Sequence, residues 1–226
     1  MFTGIVEERG EVVALDLAPD GADARVTVRG PLVTQDVRHG DSIAVSGVCL
    51  TVVASQDGTF TADVMAETLL RTSAKEWAPG RPVNLERSVT PSTRLGGHLV
   101  QGHIDGVGTV VARVPHEGYD ELSVSVGHDL ARYIAGKGAI AVDGISLTVI
   151  EVNDSPLGAV FTVGIIPETR AATTIGTSAV GSSLNIEVDV MAKYVERLLS
   201  LRPESHKSPG ASVQSPEISA QSMEQR

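Results

Sequence analysis

One cysteine, one histidine and a few small hydroxyl residues carry the reactive chemistry of this chain, and they fall at matching places in two near-copies of one sequence. Cys49 stands in Gly47-Val48-Cys49-Leu50-Thr51-Val52; Ser146 takes its place in Gly144-Ile145-Ser146-Leu147-Thr148-Val149. His103 stands in Val100-Gln101-Gly102-His103-Ile104, where the opening Phe2-Thr3-Gly4-Ile5-Val6 has Ile5. A thiol is a nucleophile, and histidine is the residue type that exchanges protons near neutrality, so the pair suits nucleophilic or acid–base chemistry. At each place the other copy carries a less reactive group. Two surfaces alike in outline and unequal in chemistry suit a protein that holds two similar molecules and treats them differently.

Strand parity puts these groups outside. Ile43 and Val45 point one way; past a turn or bulge at Gly47 the apolar positions become Leu50 and Val52. That leaves Cys49 and Thr51, and likewise Ser146 and Thr148, on the outer face, as ligand contacts or as ordinary solvent-facing residues. Two Glu-Thr corners, Glu67-Thr68 and Glu168-Thr169, each close an apolar strand before a helical turn. They read as caps, and their free backbone N–H groups can also hold a ligand carbonyl. The run from Gly97 to Gly106 raises a metal reading through His98, His103 and Asp105. As a strand it would set the two histidines on opposite faces, and two ligands without a third make a weak site, so no metal is expected. Gly102-His103-Ile104-Asp105-Gly106-Val107-Gly108 does not fit a dinucleotide fingerprint, which follows a buried strand and opens a helix. His39, His116, His128 and His206 adjoin Gly, Pro or charged residues and read as solvated.

The elements that must position these groups are short strands. In the first copy they run at 11–16, 25–29, 42–46, 50–54, 59–64 and 83–87; in the second at 108–114, 121–126, 139–142, 147–152, 159–165 and 184–188. Six Val-, Ile- and Thr-rich runs between turn signals predict a small antiparallel barrel in each copy. Brief helical segments are expected at 31–37 and 129–135, and at 68–74 and 169–174. Val190, Met191, Tyr194, Val195, Leu198 and Leu199 then recur at helical spacing, which predicts an amphipathic helix with no counterpart in the repeat. So short a helix needs a partner for its apolar stripe. The resulting division is a first barrel over 1–97, a second over 98–189, a helix over 190–202 and a disordered tail over 203–226.

Composition narrows the function. The 226 residues carry a formal net charge of −10 at pH 7, which argues against nucleic acid and against an anionic membrane surface. A single cysteine makes no intrachain disulfide. With neither a secretory leader nor a long apolar run in sight, a soluble cytoplasmic protein is expected.

Met1-Phe2-Thr3-Gly4-Ile5-Val6, Gly47-Val48-Cys49-Leu50-Thr51-Val52, the run from Gly97 to His103 and Asp143-Gly144-Ile145-Ser146-Leu147-Thr148-Val149 together resemble the riboflavin synthases of the alpha-chain type, over about residues 1–200. The resemblance implies an all-β fold of two tandem six-stranded Greek-key barrels with a C-terminal helix that assembles homotrimers. It implies a transferase of riboflavin biosynthesis that dismutates two molecules of 6,7-dimethyl-8-ribityllumazine by four-carbon transfer, using no cofactor and no metal. The products are riboflavin and 5-amino-6-(ribitylamino)uracil, and an association with lumazine synthase comes with the family. The first barrel's lumazine site would take Gly4, Ile5 and Val6, then Cys49, Leu50 and Thr51. It would add Asp63, Val64, Met65, Ala66, Glu67 and Thr68. The second barrel's would take Gly102, His103 and Ile104, with Lys137, Ser146, Leu147 and Thr148. Gly164, Ile165, Ile166, Pro167, Glu168 and Thr169 would complete it. Phe2, Ser42, Cys49 and His103 match positions tied to turnover. The rival readings are a non-catalytic lumazine or flavin antenna or storage protein on the same scaffold, and a structural module of duplicated barrels.

Overall fold

Period-two alternation builds both halves. In the computed structural model, which describes residues 1–18 and 23–200, the first copy forms β1 (Glu8–Leu17), β2 (Ala24–Arg29), β3 (Ser42–Val45), β4 (Val48–Gln56), β5 (Thr59–Val64) and β6 (Pro82–Arg87). The second forms β7 (Gly106–Pro115), β8 (Asp120–Val126), β9 (Ala139–Val142), β10 (Ile145–Ser155), β11 (Gly158–Ile165) and β12 (Ser183–Val188). Each set closes into an antiparallel barrel with the same strand order, β1-β2-β5-β4-β3-β6 and β7-β8-β11-β10-β9-β12. Closure leaves no open sheet edge. Bulges interrupt β1, β4, β7 and β10 at matching points, between Val12 and Ala14, Val52 and Ala54, Val110 and Ala112, and Val149 and Glu151. The extra residue bends each long strand so that one face stays on the core around the curve. Val26, Val28, Ile43, Val52 and Phe60 fill the first barrel; Val124, Ile140, Val149 and Phe161 fill the second.

Helical structure is sparse. Alpha1 (Ala66–Arg71) and α3 (Pro167–Ala172) each precede a single 3-10 turn, and both begin about two residues earlier than the sequence suggests. Asp23 takes the Ala66 amide at 2.8 Å, and Pro167 sits at the first helical position, where its missing N–H costs nothing. The helix expected at 31–37 is instead a run of turns: the Glu8 carboxylate accepts the Leu32 and Val33 amides at 2.8 and 3.0 Å and ties the segment to β1. Its counterpart α2 (His128–Ala131) is one turn long. Alpha4 (Val190–Ser200) follows β12 directly. The tail read as disordered lies outside the described residues. Among those described, no helix is long and apolar enough to cross a membrane.

The barrels meet through their β3-β4 and β9-β10 hairpins. Ser46-Gly47 and Asp143-Gly144 are two-residue turns with positive φ at both positions, 43° and 81° in one, 47° and 77° in the other. The turns abut so closely that a Cβ on Gly47 would lie 2.7 Å from the Gly144 nitrogen. Two buried asparagines exchange bonds across the contact. Asn84 donates to the Asp143 carbonyl and Asn185 to that of Ser46, while their side-chain oxygens accept the amides of Thr174 and Ser73.

Asp143 stands out in this interface. Burial pushes its carboxyl up to about 7, against the opposing hydrogen bond from the Asn185 amide. In the unfolded chain the group ionises near 3.8. The folded state therefore keeps a proton that the unfolded chain has released, and stability falls as pH rises between those two values. Replacing Asp143 by Asn keeps an acceptor for the Asn185 amide and suits the left-handed turn. We expect Asp143→Asn to raise stability at about pH 8 by up to about 4 kcal/mol and to flatten the profile across that window. Denaturant unfolding at several pH values measures it; a variant that keeps the parent's pH dependence refutes the assignment.

Candidate active site

Cys49 lies on the outer face of β4, half-buried, and its amide donates to the Gly102 carbonyl at 2.8 Å. The opening segment of the second copy is thus laid against the first barrel. Ile104 follows it and packs on the first barrel's core. A cavity of about 380 Å³ forms there, lined by Val48, Cys49, Glu67, Thr68, Arg71, Thr72, Gly102, His103, Ile104 and Asp105. It brings together the thiol, the imidazole and one Glu-Thr corner. The Glu67 carboxylate pairs with Arg71 at 2.8 Å, and Leu69 is the first amide of α1 to find a helical partner, so the Glu67 and Thr68 amides are left for a ligand.

The exchange is mutual. Ser146 donates its amide to the Gly4 carbonyl at 2.8 Å, and Val6 packs on the second barrel's core. The structure therefore sets Gly4, Ile5 and Val6 beside Ser146, Leu147 and Thr148, and Gly102, His103 and Ile104 beside Cys49, Leu50 and Thr51. The grouping implied by the resemblance has each opening segment serve its own copy; here the two segments are exchanged. Two buried glutamates hold the crossed segments. Glu86 accepts the Thr3 amide and hydroxyl at 2.6 and 2.7 Å and the Gly4 amide at 3.0 Å; Glu187 accepts the amides of Gln101, Gly102 and His103 at 2.6, 2.8 and 3.1 Å. Burial pushes both carboxyls up, and these amide bonds oppose the shift.

Phe2 is fully buried beneath the crossing, against Ala44, Val100 and Ala141, and pairs with Val100 through backbone bonds of 2.7 and 3.2 Å. It is a support rather than part of the cavity lining. Ser42 is the cross-strand partner of Thr51 and shares the outer face that carries Cys49. Leu50, Val64, Leu147 and Ile165 point into the cores, so they offer a ligand only their backbone. Asp63 pairs with Arg25 at 2.7 Å and, with Val64 and Met65, lines a separate hollow of about 460 Å³. The Ala66 amide is taken by Asp23.

On the second barrel Thr148 is exposed, Ile166 is 55% exposed, and Glu168 and Thr169 stand in the first turn of α3. Gly164 occupies the place of Asp63. Lys137 has φ 67° and donates its amide to the Val149 carbonyl, as Gly40, with φ 90°, does to Val52 in the first copy.

His98, weighed from sequence only as half of a rejected metal pair, has a partner that the spacing did not show. Its Nδ1 is hydrogen-bonded to the Ser146 hydroxyl at 2.7 Å, and its amide donates to the Thr3 carbonyl at 3.1 Å. Burial lowers its pKa and favours the neutral ring, with the Asp189 charge opposing. Strand parity misled because this segment is not a strand, and the repeat alignment begins at Phe2, beyond any counterpart of His98. The two crossings therefore carry unlike sets, Cys49 with His103 and Ser146 with His98. Among the described residues no group of three or more His, Cys, Asp or Glu is placed to hold a metal.

A lumazine binding domain model matches residues 3–88 and again 101–189. The riboflavin synthase of Mycobacterium tuberculosis is 56% identical over 204 residues, spanning 88% of this chain and 98% of that protein. That of Actinobacillus pleuropneumoniae is 45% identical, covering 90% and 92%, and that of Bacillus subtilis 37%, covering 88% and 90%. Among solved structures, LumP complexed with riboflavin superposes with a TM-score of 0.75 at 26% identity, over 84% of this chain and 100% of that one. LumP complexed with 6,7-dimethyl-8-(1'-D-ribityl) lumazine gives 0.73 at 25%, over 83% and 99%.

Proposed function

The chain belongs to the lumazine-binding domain family, and from that premise we propose that it is an enzyme acting as a riboflavin synthase: one molecule of 6,7-dimethyl-8-ribityllumazine donates a four-carbon unit to a second, giving riboflavin and 5-amino-6-(ribitylamino)uracil. The observation that carries this reading is the pair of crossed sites, twins in backbone and unlike in reactive groups. Two copies of one substrate need two similar seats, and a reaction that makes one the donor and the other the acceptor needs the seats to differ.

Holding two lumazines in register removes the entropy cost of their encounter, the largest contribution asked of the protein. The acidic methyl group of one ring must lose a proton, and His103 at the cavity is the base we assign to it. Cys49, with Ser42 on the same face, adds to the ring carbon of the other molecule or holds water against it. The open amides at Glu67-Thr68 and Glu168-Thr169 receive pyrimidinedione carbonyls. The same reading divides the chain into barrels over 1–97 and 98–189, an assembly helix over 190–202 and a tail. Met191, Tyr194, Val195, Leu198 and Leu199 on α4 are each more than half exposed, which supports a homotrimer joined through that face, with the first barrel of one subunit opposed to the second barrel of the next. A cytoplasmic location and an association with lumazine synthase belong to this proposal as well.

Incubating the purified protein with 6,7-dimethyl-8-ribityllumazine and following riboflavin fluorescence tests the activity; tight binding without riboflavin would establish instead the antenna or storage reading that the LumP likeness favours. The buried Phe2 bears on the N-terminus: the Met1 carbonyl accepts the Val89 amide at 3.0 Å, which ties the first residue to the segment after β6. A bulky N-terminal extension is expected to lower turnover about tenfold by displacing the crossing. An extended protein with the turnover of its cleaved form would count against this placement.

A further inference from the structure

Each copy fixes its crossed segment with two carboxylates, and the balancing cation comes from a different element in each. In the first copy Glu86 holds Thr3 and Gly4, while Glu7 accepts the Arg87 amide at 2.7 Å and pairs with the Arg87 guanidinium at 3.0 Å. In the second, Glu187 holds Gln101 to His103, and Asp105, the counterpart of Glu7, accepts the Val188 amide at 2.9 Å. Val188 stands where the first copy has Arg87 and has no charge to offer. Lys193 on α4 fills that role: its Nζ lies 2.7 Å from the Asp105 carboxylate, with 27% and 23% of the two side chains exposed. Lys193 is also near enough to Glu187 to favour its ionised form. Alpha4 is anchored to the second barrel independently, through Glu196 to Arg132 at 2.9 Å and to the Tyr133 hydroxyl.

We propose that Lys193 is a positioning residue for the first-barrel site, holding through Asp105 and Glu187 the segment that carries His103 to the Cys49 cavity. The helix is thereby wired to the chemistry as well as to assembly. Because the opening segments are exchanged, the two cations act crosswise: Lys193 serves the first barrel's site and Arg87 the second's.

Hydrogen exchange read by mass spectrometry on the full chain tests this directly, and steady-state turnover of 6,7-dimethyl-8-ribityllumazine tests its consequence. Only the kinetic part rests on the proposed function. In Lys193→Met the amides of residues 100–105 should exchange about tenfold faster, the scale of one lost charge-assisted bond, while residues 2–6 keep the parent rate. The turnover number should fall about tenfold. Lys193→Arg should restore both. Arg87→Met should show the converse, with residues 2–6 loosened and 100–105 unchanged. Unaltered protection at 100–105, equal loosening of both segments, or failure of Lys193→Arg to restore would overturn the proposal. If α4 itself loosens in Lys193→Met, Asp105→Asn, which leaves the Glu196 anchors intact, must reproduce the effect at 100–105; parent-like exchange there would overturn it too. A parent protein that makes no riboflavin but shows the crossed exchange pattern would overturn the functional reading and support this one.

Discussion

Replacing His103 by Gln is expected to lower turnover at saturating 6,7-dimethyl-8-ribityllumazine by a factor of about a hundred or more, the contribution of a positioned general base. Binding should remain measurable, because the fold asks little of the imidazole. Its ring is exposed at the cavity, and the segment is held by the bonds of Glu187 to the backbone, which Gln leaves in place. Glutamine keeps comparable size and hydrogen-bonding capacity, so the loss falls on proton transfer. Lumazine binding followed by fluorescence, beside turnover in the same preparation, separates the two effects. Parent-like turnover in His103→Gln would remove this residue from the chemistry and leave the base to be sought on the Ser146 and His98 side.

A comparable loss of activity should follow from a single methyl group one residue earlier. Gly102 has φ 80°, and a Cβ there would fall 2.6 Å from the Cys49 Cβ and 2.9 Å from the Phe2 ring. A side chain in that conformation costs about 1–2 kcal/mol, and overpacking a close contact about 1–3 more. We expect Gly102→Ala to cost about 2–5 kcal/mol of stability, to move His103 off the cavity and to reduce turnover about a hundredfold. Gly118→Ala is the control, since its Cβ meets nothing within 4 Å; it should change stability by less than about 0.5 kcal/mol. Thermal unfolding with turnover measured on both variants decides the matter. A Gly102→Ala protein as stable and as active as the control would mean that the crossing is not the close approach described.

Most of the architecture was legible in the chain. Val, Ile and Thr alternation placed all twelve strands, because a half-buried strand leaves a period-two trace that needs no tertiary context. The parity change around Gly47 pointed Cys49 outward, and the structure adds that a two-residue turn at Ser46-Gly47 and a bulge between Val52 and Ala54 share the work of bending. Short segments were less legible. Residues 31–37 have helical composition, yet Glu8 captures the amides that would have begun a helix, and that carboxylate arrives from a distant strand. The role of His98 was hidden for a related reason: its partner Ser146 is 48 residues away and no local pattern joins them.

Two barrels, the unequal reactive groups they carry and the pairing of Cys49 and His103 with less reactive twins all follow from side-chain order and from one copy read against the other. Which opening segment closes which barrel emerges from the packing of the two copies on each other. Either segment fits either barrel by local rules: each presents a glycine with positive φ, a carbonyl for the facing strand and backbone amides for a buried glutamate. In the crossed arrangement Phe2 packs against Val100, Ala44 and Ala141 where the barrels meet. That contact joins residues from both copies, so its energy is written in no single stretch of the chain.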